Sequence, residues 1–312
     1  MLVVNKPRGM ISKDVSRTLT RLLGKQKLGH VGTLDPNAEG VLPLLFGNAT
    51  RLQDFLLELP KTYDFDVSFG AETDSMDPDG TVIRTAPWEH VTVESINAAI
   101  KGFHGRITQV PPMYSAVKYQ GRPLYEYARG QRDSEVPLAD LSREVVVSDF
   151  RLLGFANGVA HCVVTCSKGT YIRSLVKSLA EALGTCATLT RLLRSAASGV
   201  DLSCAHRLEH VEEKAAAGEF GDLLISTSAI QLGVPRWAPA DPAIAGKLRS
   251  GVPVRMAPKD FVSAFGLEER AILPSVRRQG LMLLDHVGAA VGLGDAFLDE
   301  HGRVTVSMRR GL

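Results

Sequence analysis

One aspartate of the chain lies in a loop rich in glycine and proline. Residues 29–43 read GHVGTLDPNAEGVLP, with Asp35 near the centre and His30 five residues before it. Glycine permits backbone conformations that other residues avoid, and proline fixes φ and removes a donor. Such a loop can hold a carboxylate rigidly while a bulky substrate approaches it. On spacing alone, a tight turn with a solvated acid explains the segment equally well.

The segments around this loop predict the elements that position it. Ser12 can cap a helix that Gly24 would end, because apolar residues recur near a 3.6-residue period at Val15, Leu19, Leu22 and Leu23. Further helices are predicted over residues 93–102 and 171–183, and strands over residues 41–46, 63–69, 144–147 and 159–166. Helices and strands mix without a steady βαβ rhythm, which favours an α+β or mixed α/β fold.

The length of 312 residues suits one large domain or two ordinary ones. Residues 234–242 contain three prolines and little periodicity, as expected of a domain entry. We therefore predict one domain over residues 1–230 and a small β-rich module over residues 231–312. Strands of the module are predicted over residues 281–284, 289–293, 296–298 and 304–308.

Composition predicts a soluble, cytoplasmic protein. Hydrophobic residues make up 45% of the chain and charged residues 22%. No apolar run reaches the ~18 residues of a membrane helix, and the first residues lack the features of a signal peptide.

The net charge of +2 argues against indiscriminate nucleic-acid binding, but the charged residues are unevenly distributed along the chain. Residues 1–30 carry seven Lys or Arg, including Lys25, against the single acid Asp14, so this segment could follow a phosphate backbone. An ordinary solvated helix face is the alternative.

Metal sites are not expected. The four cysteines, Cys162, Cys166, Cys186 and Cys204, lack zinc-ligand spacing, although His161 and His206 lie near two of them. The acidic turn at residues 73–80 resembles a calcium loop but lacks the twelfth-position Glu of an EF-hand.

Several motifs in order resemble those of the TruB family of bacterial tRNA pseudouridine synthases. The loop around Asp35 is similar to the central motif of that family, and the likeness continues through GNATR at residues 47–51. Further similar segments are NKPRG at residues 5–9, KTY at 61–63, QVPPMYSA at 109–116, SKGTYIRSL at 167–175 and LTRLLR at 189–194. One departure is Ile11-Ser12, where the family usually has Thr-Ser.

The resemblance implies a pseudouridine synthase fold, which is a mixed β-sheet with flanking helices and a central cleft, plus a C-terminal PUA-like RNA-binding domain. It also implies isomerisation of uridine 55 in the T loop of tRNA. The reaction breaks the C1′–N1 bond, turns the base and rejoins it through C5, so no cofactor and no metal are implied. The expected partner is the tRNA T stem-loop, bound by a monomer without guide RNA.

The resemblance also implies roles for particular residues. Asp35 would be nucleophile or base, and Arg173 its guanidinium partner. Tyr63 would be catalytic as well as substrate-binding, since its ring would stack on the uracil and its hydroxyl would take part in proton transfer, and Tyr171 and Leu192 would complete the pocket. His30 would occupy the space that the flipped uridine leaves. Lys6 and Asp77 are further substrate-binding candidates. Without the resemblance, a surface arginine at 173, core packing at 171 and 192, and a structural hydrogen bond at His30 explain these residues.

Two other classes of function remain open at this point. One is an RNA-folding or RNA-binding protein on the same scaffold, which would not need the set of Asp35, Tyr63 and Arg173. The other is a glycosidase with an aspartate nucleophile, which would need a second carboxylate such as Asp74, Asp77 or Asp79.

Overall fold

A computed structural model describes residues 1–24, 26–239, 241–263, 279–285, 287–299 and 301–312. Lys25 and parts of the predicted C-terminal module, residues 240, 264–278, 286 and 300, lie outside these ranges. The α-helices are α1 Ser12–Leu22, α2 Gln53–Glu58, α3 Val93–Ile100, α4 Leu124–Arg129, α5 Ile172–Ala182, α6 Leu208–Ala216, α7 Pro242–Arg249 and α8 Pro258–Ser263.

The strands fall into two larger sheets and two hairpins. They are β1 Leu2–Lys6, β2 Leu28–His30, β3 Ala38–Phe46, β4 Lys61–Phe69, β5 Ala71–Thr73, β6 Val82–Thr85, β7 Gly105–Gln109, β8 Lys118–Tyr119, β9 Arg122–Pro123, β10 Arg143–Ala156, β11 Val159–Cys166, β12 Ala187–Ala197, β13 Val200–Asp201, β14 His206–Arg207, β15 Arg236–Trp237, β16 Val254–Met256, β17 Gln279–Leu284, β18 Ala290–Leu298 and β19 Val304–Gly311.

The first sheet is mixed and has the order β14-β1-β3-β12-β4-β11-β10-β7, with β2 beside β3 and β13 beside β12. Two pairs, β1 with β14 and β3 with β12, are parallel, and the others are antiparallel. Strand β4 alternates buried and partly exposed side chains along its length, because successive side chains point to opposite faces. The centre of the sheet therefore presents one face to a core and the other to a more open surface.

The largest core cluster fills the space between this sheet and helices α3 and α5. Phe65, Phe150, Leu175 and Leu179 are among its fully or almost fully buried members. Packing of α5 against the sheet fixes where its first residues lie. A second cluster packs α1 and α6 against β1 and β3, with Val15 and Leu19 at its centre.

The second sheet has five strands in the order β15-β17-β18-β19-β16 and lies against the first domain. One apolar cluster joins the two: it contains Val3, Leu45 and Leu52 from the first domain and Met282 and Leu293 from the second sheet. Arg51 and Arg310 add reciprocal contacts, since Arg51 donates to the Gly311 carbonyl at 2.7 Å and Arg310 to the Arg51 carbonyl at 2.8 Å.

Three local expectations are wrong. Ser12 does not cap α1, because Ile11 is the cap residue and the Ser12 hydroxyl bonds Leu34 instead. The strands predicted at residues 289–293 and 296–298 form one strand, β18, since Gly294 and Asp295 continue the ladder. The strand predicted at residues 144–147 runs on to Ala156, with β-bulges that absorb its irregular pattern.

Candidate active site

The side chains of Asp35, in the loop between β2 and β3, and Arg173, in the first turn of α5, meet in the structure. Arg173 Nη2 lies 2.7 Å from Asp35 Oδ2, in the range of a charge-assisted hydrogen bond. The Arg173 side chain is 4% exposed, whereas that of Asp35 is 38% exposed. The guanidinium is therefore buried behind a carboxylate that remains open to solvent. This is the proximity that the sequence predicted for the two residues.

The position of Arg173 is set by two backbone acceptors and by the ion pair with Asp35. It is the second residue of α5, and it donates to the Ser75 carbonyl at 3.0 Å and to the Tyr114 carbonyl at 2.9 Å. Its Nε is buried without a hydrogen-bond partner. The acidic turn around Ser75 therefore serves as a support for the arginine. This support could not be predicted from residue types, because every residue carries a backbone carbonyl.

The Asp35 loop is tied to the strand before α1. The Gly9 N–H donates to the Pro36 carbonyl at 2.8 Å, and Lys6 Nζ donates to the carbonyls of Pro7, Met10 and Pro36. Lys6 is fully buried, which lowers the pKa of its ammonium to about 8. An RNA contact through this ammonium would require it to leave those carbonyls. The geometry thus favours support of the loop over the substrate contact expected for Lys6.

Tyr63 and Arg194 form a second polar pair under the site. Tyr63 is 9% exposed, and burial raises the pKa of its phenol. The phenol interacts with the guanidinium of Arg194, which is 1% exposed and donates to the carbonyls of Val41 and Gly32 at 2.8 and 2.9 Å. Burial lowers the pKa of Arg194. The role of Arg194 was not predicted from the sequence, because Arg191 and the threonines of the same mixed segment give it no distinguishing pattern.

Two adjoining hollows open beside Asp35 and Arg173, and both are also lined by Leu192. The larger has a volume of about 90 Å³ and is walled by Tyr63 and Tyr171 as well. The ring of Tyr171 is covered by the guanidinium of Arg143, 4.8 Å from its centroid. Five of the predicted residues therefore share one concave site. The second hollow is much smaller, at about 10 Å³.

Asp77 and His30 lie at the periphery of the site. Asp77 lines the smaller hollow and accepts from the Ser75 hydroxyl at 2.6 Å. His30 ends β2, outside both hollows and half-buried, with Nδ1 3.2 Å from the Ser16 hydroxyl and Nε2 3.4 Å from that of Thr33. Burial lowers the pKa of His30, which favours the neutral imidazole.

The part of the chain that the structure describes contains no cluster of three or more His, Cys, Asp or Glu side chains arranged for a metal ion. Within the same residues, no helix is both long and apolar enough to cross a membrane. The acids of the 73–80 turn instead bond that turn internally: Asp74 accepts from the N–H groups of Ser75 and Thr81.

Comparison with known sequences identifies the family. The sequence model for the TruB family pseudouridylate synthase (N terminal domain) matches residues 20–172. A tRNA pseudouridine synthase B from Geobacillus thermodenitrificans is 39% identical over 263 residues, which cover 82% of this chain and 85% of that protein. One from Aromatoleum aromaticum is 36% identical over 310 residues, covering 99% and 91%.

Solved structures carry the same fold. A chain in the structure of an H/ACA RNP bound to a substrate RNA containing 2′-deoxyuridine matches with a TM-score of 0.72 at 20% identity, covering 99% of this chain and 84% of that one. A Cbf5-Nop10-Gar1 complex gives the same TM-score and coverage at 21% identity. These likenesses confirm the predicted α+β pseudouridine synthase fold. The sequence relatives establish that the chain belongs to the TruB family of pseudouridylate synthases, which are isomerases.

Proposed function

We propose that this chain isomerises uridine 55 in the T loop of tRNA to pseudouridine. The observation that carries the proposal is the open carboxylate of Asp35, 2.7 Å from the buried guanidinium of Arg173 and beside a hollow walled by Tyr63. The curated relatives with the name tRNA pseudouridine synthase B support tRNA as the substrate. The position within the tRNA follows from the resemblance of the motifs around Asp35.

The reaction exchanges one glycosidic bond for another. The C1′–N1 bond breaks, the uracil turns, a C1′–C5 bond forms, and the proton lost from C5 is balanced by one gained at N1. The substrate and product are isomers, so the step needs neither oxidant nor energy source. A carboxylate can attack C1′, add to C6 or remove the 2′ proton, and we leave these three routes open for Asp35.

Arg173 has the geometry to orient the acid rather than to bind substrate. Its guanidinium is held by two backbone carbonyls, so Asp35 meets a donor whose place is already fixed. Such preorganisation lets the carboxylate face the hollow without reorganising during the reaction.

The walls of the larger hollow suit a flipped pyrimidine. Stacking of a base on an aromatic ring contributes ~1–3 kcal/mol, and we assign this role to Tyr63. Tyr171 and Leu192 would pack on the base or ribose. His30, neutral and at the rim, would take the place of the extruded base in the T loop. Asp77 would contact the sugar from the smaller hollow.

We further propose that residues 231–312 form a PUA-like module that binds the tRNA outside the T loop. The chain would act as a cytoplasmic monomer on tRNA, without guide RNA, cofactor or metal. The five-stranded sheet and the exposed Arg303 next to its last strand support an RNA-binding module.

The test is chemical mapping of pseudouridine in an unmodified tRNA transcript incubated with the purified protein alone. Wild type should modify position 55, and Asp35→Asn should give no product while binding the transcript with unchanged affinity. Product at another position would refute the proposed target, and free uracil would indicate glycosidase chemistry. Binding and refolding of tRNA by a wild-type protein that forms no pseudouridine would favour the RNA-folding alternative.

A further inference from the structure

A buried hydroxyl holds the residue that precedes Asp35. Ser12, at the start of α1, is 1% exposed. Its Oγ accepts the N–H of Leu34 at 2.9 Å and donates to the carbonyl of the same residue at 3.2 Å. Leu34 lies in the loop between β2 and β3, not in a strand. Ser12 therefore supplies Leu34 with the pair of hydrogen bonds that a neighbouring strand would otherwise supply.

A buried carboxamide makes the same kind of contact on the other side of the site. Gln109 ends β7 and is 5% exposed. Its Oε1 accepts the N–H of Tyr171 at 2.7 Å, and its Nε2 donates to the Tyr171 carbonyl at 3.0 Å. Tyr171 immediately precedes α5, so Arg173 follows two residues later. A carboxamide carries a donor and an acceptor in one plane, which matches the two polar groups of a single residue.

Ser12 and Gln109 hold the two segments that carry Asp35 and Arg173. Asp35 follows Leu34 directly, and Arg173 is in the first turn of the helix that Tyr171 caps. The carboxylate and guanidinium then meet at 2.7 Å, a separation that tolerates little displacement of either backbone. Neither Ser12 nor Gln109 lines the hollows beside Asp35. Each can affect the reaction through the backbone that it holds.

We propose that Ser12 and Gln109 are positioning residues that set the alignment of Asp35 with Arg173. The inference rests on the proposed isomerase function and extends it to two residues outside the site. A displacement of ~1 Å can lower a reaction rate about 100-fold. Loss of either side chain is expected to slow the chemical step while the RNA-binding surface stays intact.

The experiment compares Ser12→Ala and Gln109→Leu with the control Ser198→Ala in the full-length protein. Ser198 is also 1% exposed, and its Oγ donates to the Leu56 carbonyl at 3.3 Å, outside the residues that line either hollow. Single-turnover rates are measured by release of tritium from C5 of uridine in a T stem-loop RNA, with enzyme in excess. Binding of the same RNA is measured by titration.

The expected result is a rate lowered about 10- to 100-fold in both test variants, with unchanged RNA affinity and with the Ser198→Ala rate at the wild-type level. A rate equal to that of the control, or a loss of rate matched by weaker RNA binding, overturns the proposal. If Ser12→Ala does not fold, the nearly isosteric Ser12→Cys takes its place, because its thiol is a weaker hydrogen-bonding group than the hydroxyl. Its rate should lie below that of wild type, by less than the loss expected for alanine. A wild-type rate in folded Ser12→Cys would also overturn the proposal. Absence of tritium release by wild type would instead refute the proposed function.

Discussion

Replacing Asp35 by alanine removes the carboxylate in front of the buried Arg173 guanidinium. Removing one partner of a buried ion pair typically costs about 3–5 kcal/mol, because the other charge stays buried without compensation. Here the guanidinium keeps two carbonyl acceptors, and the carboxylate it loses was 38% exposed, so water can enter the gap. We therefore expect Asp35→Ala to lower the free energy of unfolding by a smaller amount, about 2 kcal/mol.

Asparagine at the same position keeps the shape and one oxygen acceptor. Arg173 can still donate to that oxygen, so the expected loss for Asp35→Asn is about 1 kcal/mol. Both variants should lack isomerase activity, since neither carries a carboxylate. The two substitutions thus separate the structural role of the acid, which asparagine partly restores, from its chemical role, which asparagine cannot restore.

Urea unfolding followed by circular dichroism gives the stabilities, and tritium release from C5 gives the activity. Asp79→Ala, at an exposed acid of the neighbouring turn, is the matched control and should change neither. Equal stability of Asp35→Ala and wild type would show that the guanidinium does not depend on the acid. Measurable turnover by Asp35→Asn would refute the chemical role.

Three further predictions concern the framework. The pKa of Lys6 is lowered to about 8 in the folded protein, so above that pH the unfolded chain binds a proton that the folded chain does not. The free energy of unfolding of wild type, relative to that of Lys6→Met, should therefore rise between pH 8 and 10.5. A difference that does not change with pH would contradict this prediction. Gly40→Ala should destabilise by about 3 kcal/mol in urea unfolding, because φ is +104° and a Cβ would lie 2.3 Å from the Arg194 carbonyl oxygen. Gly47→Ala is the control, because φ of Gly47 is also positive but no atom lies near the position of its Cβ. This variant should lose less stability than Gly40→Ala, and equal losses would exclude the steric explanation. Met282→Ala should lower the free energy of unfolding by about 3 kcal/mol, because Met282 is 1% exposed in the apolar cluster shared by both sheets. Calorimetry should still show a single unfolding transition, whereas two transitions would indicate that the two sheets unfold independently.

Local periodicity predicted the elements that carry the site better than the contacts within it. Helix α5 was predicted over residues 171–183 and spans Ile172–Ala182, because its apolar face repeats regularly against the sheet. Strand β4 was predicted over residues 63–69 and begins two residues earlier. Strand β12 was not assigned a structure from sequence, since its mixture of Leu, Arg and Thr fits neither period well. It proved central, as it pairs with both β3 and β4.

The predicted site residues were found through motif resemblance, and the supports around them were not. Ser12 was expected to cap its own helix because that is the local use of serine, whereas its partner Leu34 is 22 residues away. Sequence cannot distinguish the two uses, since both need the same hydroxyl. Lys6 illustrates the reverse case: its charge pointed to RNA, but the fold surrounds it with backbone carbonyls.

The apolar cluster that joins the two sheets has a consequence for the length of RNA that could contact both of them. Val3, Leu45, Met282 and Leu293 are packed together, so the second sheet is held by side chains and not by a flexible tether. A tether would let two RNA-contacting surfaces adapt to a range of spacings. The packed junction instead fixes the distance between the two sheets. Under the proposed RNA-binding role of residues 231–312, an RNA whose stem is lengthened by a few base pairs would therefore contact one sheet or the other, but not both.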